Sequence, residues 1–147
     1  MTTVTPSTRF VMGNDLAELR RMTQWVQESA GAAGIAPEVV RILDHCANEA
    51  VVNIISYAYE DAKRHDIVLE LNKTAHGAGL VIRDDGKPFN MLEAPEHRPA
   101  ENLAGAQIGG LGIHLIRRMA ARCDYRREGG FNVLSLEAQP NPQHCNA

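Results

Sequence analysis

The chain has 147 residues, enough for one hydrophobic core and little more. Apolar residues make up 44% and charged residues 22%, with a net charge of −3, so there is no concentrated basic surface to hold nucleic acid by counterion release. No apolar run approaches the ~20 residues that cross a bilayer, and the polar first nine residues lack the apolar centre of a signal peptide.

In chain order, a strand is expected around residues 8–12. Asn14 or Asp15 then caps a helix to about Ala30, with Leu16, Leu19, Met22 and Val26 as its apolar stripe. Glycines 31 and 34 break it. Pro37 suits the first turn of a second helix, which runs to about Tyr57 and buries Val39, Ile42, Leu43, Cys46, Ala50 and Ile54. Ile67, Leu69 and Leu71 alternate with polar residues in a strand. A turn over residues 77–79 leads into a second strand through Leu80–Ile82, ending at Arg83-Asp84-Asp85-Gly86.

From 87 to 108 the periodicity disappears and prolines and charges accumulate, which reads as a lid. Ile108-Gly109-Gly110-Leu111-Gly112 opens a third helix through Ala121, with Ile113, Ile116 and Met119 facing inward. Residues 123–127 and 131–137 form a closing hairpin over Glu128-Gly129-Gly130. The expected organisation is a disordered start over 1–7, one domain over 8–138, and a flexible tail over 139–147. Cys46, Cys123 and Cys145 are odd in number and form no CxxC pair, which argues against a disulfide framework or zinc site and fits reduced thiols in a cytoplasmic protein.

Three separated polar stations remain. Glu49 and Asn53 lie four apart on the second helix and share one of its faces, where a carboxylate and an amide are costly without partners. An amide oxygen there can bind magnesium, and a carboxylate one turn earlier can polarise a hydroxyl. Read blandly, the pair is a solvent-edge polar couple. Asp84 ends a buried strand two residues before Gly86. A carboxylate there can accept from an exocyclic amine, and the glycine lets backbone pass a flat ring. The bland alternative is an ordinary Asp-Gly turn, and Asp85 competes for the role. Gly109, Gly110, Leu111 and Gly112 precede a helix whose first N–H groups suit phosphate, or else serve as a packing hinge.

The order of these stations, with the segments NEAVVN, RDDGKPF and GGLGIHLIRRMAARCDYRREGGFNVLSLE, resembles the GHKL ATPase superfamily. Within it the chain looks most like the anti-sigma-factor serine/threonine kinases of the RsbW/SpoIIAB type, over roughly residues 8–138. The resemblance implies a two-layer α/β sandwich of the Bergerat type, with a mixed, mostly antiparallel sheet and three main helices on one face. It implies ATP and Mg2+ as cofactors, Glu49 as general base and Asn53 as the magnesium-holding residue. Asp84 with Gly86 would read adenine, and the 109–112 segment would hold phosphate.

Two departures stand out. Ser56-Tyr57-Ala58-Tyr59 occupies the place of a family His-Gly, and Phe131-Asn132 the place of a threonine that supports the adenine site, making Asn132 a stand-in for it.

The implied activity is phosphorylation of a small STAS-type anti-anti-sigma protein by a partner-switching kinase. The resemblance further implies a sigma factor and a second copy of the chain as candidate partners, and no direct contact with membrane or nucleic acid is expected. Two alternatives remain open: a non-catalytic ATP-binding module that sequesters a protein, and the detached catalytic domain of a histidine kinase.

Overall fold

Alternation along each strand builds the sheet. In β3 (Ala78–Asp84) every second side chain is buried, from Ala78 through Leu80 and Ile82 to Asp84. In β2 (Asp66–Lys73) Ile67, Leu69 and Leu71 do the same. The computed structural model describes residues 7–93 and 112–140, the second stretch with side chains from 116 onward. These segments also hold β1 (Ser7–Gly13), β4 (Arg122–Glu128) and β5 (Phe131–Ala138), in the order β1-β2-β3-β5-β4. Every pair is antiparallel, so the described sheet is wholly antiparallel rather than mixed.

The helices α1 (Leu19–Ala32), α2 (Pro37–Tyr57) and α3 (Gly112–Met119) supply the second layer of this α/β sandwich. α1 packs on β1 and β2, and α2 packs on β3 and β5 while touching both other helices. The expected buried face of α2 is found intact, from Val39 to Ile54.

Local departures have plain causes. Asp15 caps a 3-10 turn (Leu16–Glu18) by accepting from the Ala17 N–H, so α1 starts at Leu19 and Leu16 is left 43% exposed, off the apolar stripe. α1 continues past Gly31 and ends before Gly34, whose φ of 75° suits a residue without Cβ. The β2–β3 turn lies at 74–77, where the Thr74 N–H donates to the Gly77 carbonyl, and not at 77–79; Ala78 and Gly79 already pair with Lys73 and Asn72. A second 3-10 turn (Met91–Glu93) buries Met91 and Leu92, so residues 87–93 of the expected lid lie against the body. Residues 94–108 are outside the described segments, as are 1–6 and 141–147. Ser7, placed in the expected disordered start, belongs to β1.

Cys46 is buried and unbridged, its thiol pushed up to about 12 chiefly by burial. Cys123 is disulfide-bonded, contrary to the expectation of reduced thiols throughout.

Candidate functional site

Three elements converge at the end of the sheet where β3 stops. Gly86 is pressed against the C-terminal end of α2. A Cβ added to it would lie 2.5 Å from Ala58 Cβ and 2.7 Å from the Ala58 carbonyl oxygen, closer than any side chain tolerates. The next residue completes the junction, with the Lys87 N–H donating to that same carbonyl at 2.9 Å. Asn53 lies five residues before Ala58 on α2, about 7.5 Å along the helix axis.

Asn53 is fully buried. Its Nδ2 donates to the Glu49 carbonyl at 2.7 Å, while its Oδ1 is sealed from solvent without a hydrogen-bond partner. An orphaned amide oxygen in a core costs about 1–3 kcal/mol, so a group that binds there recovers that cost. Glu49 is half-buried, and its carboxylate makes no hydrogen bond or ion pair among the described residues.

Asp84 is 3% exposed. Its Oδ1 accepts from the Gly86 N–H at 2.9 Å and from Asn132 Nδ2 at 3.0 Å, leaving Oδ2 without a partner among the described residues. Burial raises its pKa above the ordinary aspartate value, opposed by the Asn132 and Gly86 hydrogen bonds. Asp85 points the other way, at the surface beside His65.

Asn132 proves to be a hub. Strand register places it directly opposite Asp84. Besides Asp84, its Nδ2 donates to the Lys87 carbonyl at 2.8 Å. Its Oδ1 accepts from the Phe89 N–H at 3.2 Å, the Tyr125 hydroxyl at 2.5 Å and the Arg127 guanidinium at 3.3 Å. Arg127 also donates to the Gly86 carbonyl at 2.7 Å. The amide therefore ties the β3 terminus to the segment that follows it. Sequence reasoning had Asn132 only as a stand-in for a threonine and missed Tyr125 and Arg127, because cross-strand register is invisible in one chain of letters.

Of the expected site residues, Asn53, Glu49, Asp84 and Gly86 are gathered on α2 and the β3 terminus. Gly112 starts α3, which packs on α2. Gly109, Gly110 and Leu111 lie outside the described residues.

A family model described as a histidine kinase-like ATPase domain matches residues 12–138. The chain belongs to that family. It is also similar to the serine/threonine-protein kinase BtrW of Bordetella bronchiseptica, 34% identical over 98 residues that cover 67% of this chain and 69% of that protein. The resemblance to anti-sigma-factor kinases of the RsbW/SpoIIAB type and the α/β sandwich expected from it are thus borne out. The chain therefore carries an ATP-binding domain of the kinase type. Among the described residues no helix is long and apolar enough to cross a membrane.

Proposed function

We propose that this protein is a cytoplasmic ATP-dependent serine/threonine kinase acting as a partner switch, with a small STAS-type antagonist as its phosphate acceptor. The observation that carries this reading is the sealed, unpartnered Oδ1 of Asn53 one turn after Glu49, at the helix end against which the Asp84–Gly86 turn is docked.

The residues fit magnesium-ATP. Asn53 offers one oxygen, and the described residues hold no cluster of three or more His, Cys, Asp or Glu ligands. That donor set suits an ion that binds through one protein oxygen plus phosphates and water. When bound, magnesium spreads the negative charge of the phosphates during transfer. Asp84 Oδ2 accepts from the adenine amine, and Asn132 keeps the other oxygen occupied. Gly86 passes the ring, and the segment 109–112 with the first N–H groups of α3 takes the phosphates. Glu49 accepts the proton of the acceptor hydroxyl. The hydroxyl oxygen bonds to the γ-phosphorus as the bond to the β–γ bridging oxygen breaks, leaving ADP and a phosphoprotein.

The serine/threonine-kinase relative supports an enzyme over a mere binder. The RsbW/SpoIIAB resemblance supports the antagonist, and a sigma factor as the sequestered partner. β1 is an edge strand whose outer hydrogen-bonding groups suit a second copy of the chain. The test uses labelled ATP and a STAS-type protein. Glu49→Ala is expected to slow transfer by about 10²–10⁴-fold while ATP binding persists; Asn53→Ala is expected to lose the magnesium-dependent part of that binding. Transfer by Glu49→Ala at the wild-type rate would remove Glu49 as the base, and nucleotide binding without any transfer by the wild type would remove the enzyme reading. Calorimetry that detects no nucleotide binding to the wild type would remove ATP binding altogether.

A further inference from the structure

His65 lies on the connection between α2 and β2, at the sheet end where Asp84 emerges. Its main chain is tied on both sides to Asn14: the His65 N–H donates to Asn14 Oδ1 at 2.9 Å, and its carbonyl accepts the Asn14 N–H at 3.0 Å. Its ring stacks on Tyr59, with centroids 4.3 Å apart and planes 15° from parallel. Nε2 is 2.7 Å from Asp61 Oδ1, and Nδ1 is 3.2 Å from Asp85 Oδ1. A neutral imidazole has one N–H, and ionised carboxylates only accept, so only the imidazolium satisfies both contacts.

We propose that His65 is a positioning residue for nucleotide binding: through Asp85 it holds the turn that presents the Asp84 carboxylate. The proposal rests on the reading of Asp84 as the adenine acceptor. Asp85 sits between Asp84 and Gly86 in a turn with no slack, since Gly86 abuts Ala58 on one side and donates to Asp84 Oδ1 on the other. A shift of residue 85 therefore moves both neighbours. His65 anchors Asp85 to a body fixed by Asn14 and Tyr59, and acts on the site through Asp85.

The surrounding charges are accounted for. Tyr59, whose hydroxyl is sealed and unpartnered, lies under the ring. On the same connection Glu60 pairs with Lys87 from the segment after β3 at 3.1 Å, Arg64 faces Asp66 at 3.6 Å, and exposed Lys63 donates its backbone N–H to Asp61. Asp15, beside Asn14, caps Ala17. Asp61 and Asp85 are thus the groups that meet the imidazole, and their hydrogen bonds, Asp61 first, hold the His65 pKa above the ordinary histidine value. The sign follows: the clasp is whole below the ordinary value of about 6.5 and is lost as pH rises through the raised one.

The experiment measures the dissociation constant of magnesium-ATP by calorimetry on the full chain from about pH 6 to pH 9. Wild-type affinity is expected to weaken about three- to tenfold on the alkaline side, the size of one hydrogen bond's net effect. In His65→Gln and in Asp85→Asn the affinity should stay at the wild type's alkaline level throughout. A purely structural His65 would instead weaken binding equally at every pH. The proposal is overturned if either variant keeps the wild-type alkaline limb. Asp84→Asn separates the layers. Unchanged ATP binding in that variant removes the adenine reading and the clasp with it; loss of binding there, with the limb intact in His65→Gln, overturns the clasp alone.

Discussion

At the scale of single residues, the two oxygens of Asp84 have different duties. Oδ1 is held as an acceptor by the Gly86 N–H and by Asn132, so a ligand amine has Oδ2 to meet. Asparagine at this position must keep its carbonyl oxygen on those two donors, which turns its NH2 toward the ligand. Asp84→Asn is therefore expected to fold normally and to weaken ATP at least about tenfold, donor facing donor. It should also improve GTP relative to ATP, because guanine presents a carbonyl oxygen where adenine presents the amine. Competition binding with the two nucleotides reads the ratio, and an unchanged ratio would assign the adenine contact elsewhere. Asp85 offers no such arrangement, being exposed and engaged with His65.

At the scale of elements, the β4–β5 hairpin carries Asn132 and Arg127 to the site, and its two-residue turn makes that delivery possible. Gly129 and Gly130 have φ of 57° and 83°, the left-handed pair that matches the twist of the flanking strands. Gly130→Val is expected to cost about 1–2 kcal/mol from backbone strain alone, read as a lower urea midpoint with an unchanged slope. No neighbour lies within 4 Å of a Cβ at Gly130, so crowding contributes nothing there. At Gly86 the order is reversed: the backbone angle is ordinary, and the Ala58 carbonyl is what excludes a side chain. Two glycines in the same alphabet thus serve opposite physical ends, one conformational and one steric.

For the whole molecule, α2 is the common support, since it touches α1, α3 and the two strands that carry Asp84 and Asn132. Leu80 lies in the core beneath it, paired with Leu71 and Leu136 across three strands. Leu80→Ala is expected to cost about 2–5 kcal/mol in a single unfolding transition, by lost transfer energy and the cavity left behind. Leu80 is four residues from Asp84 along β3, about 13 Å, so the folded fraction should keep its nucleotide affinity. A variant that binds ATP tenfold more weakly while fully folded would show that the core and the site are coupled.

Much of this was determined by the order of residues alone. Period-two burial in β2 and β3, the apolar face of α2 and the glycine pair of the last hairpin are local consequences of backbone geometry. The same alternation that buries Ile82 turns Asp84 inward and Asp85 outward. Only the tertiary structure decided that Asn132 stands opposite Asp84, that Ala58 makes Gly86 obligatory, and that His65 joins Asp61 to a carboxylate twenty residues away. Those contacts follow from strand register and from where a helix end meets a sheet. Chain separation carries no trace of either, because they are set by how the core closes as a whole.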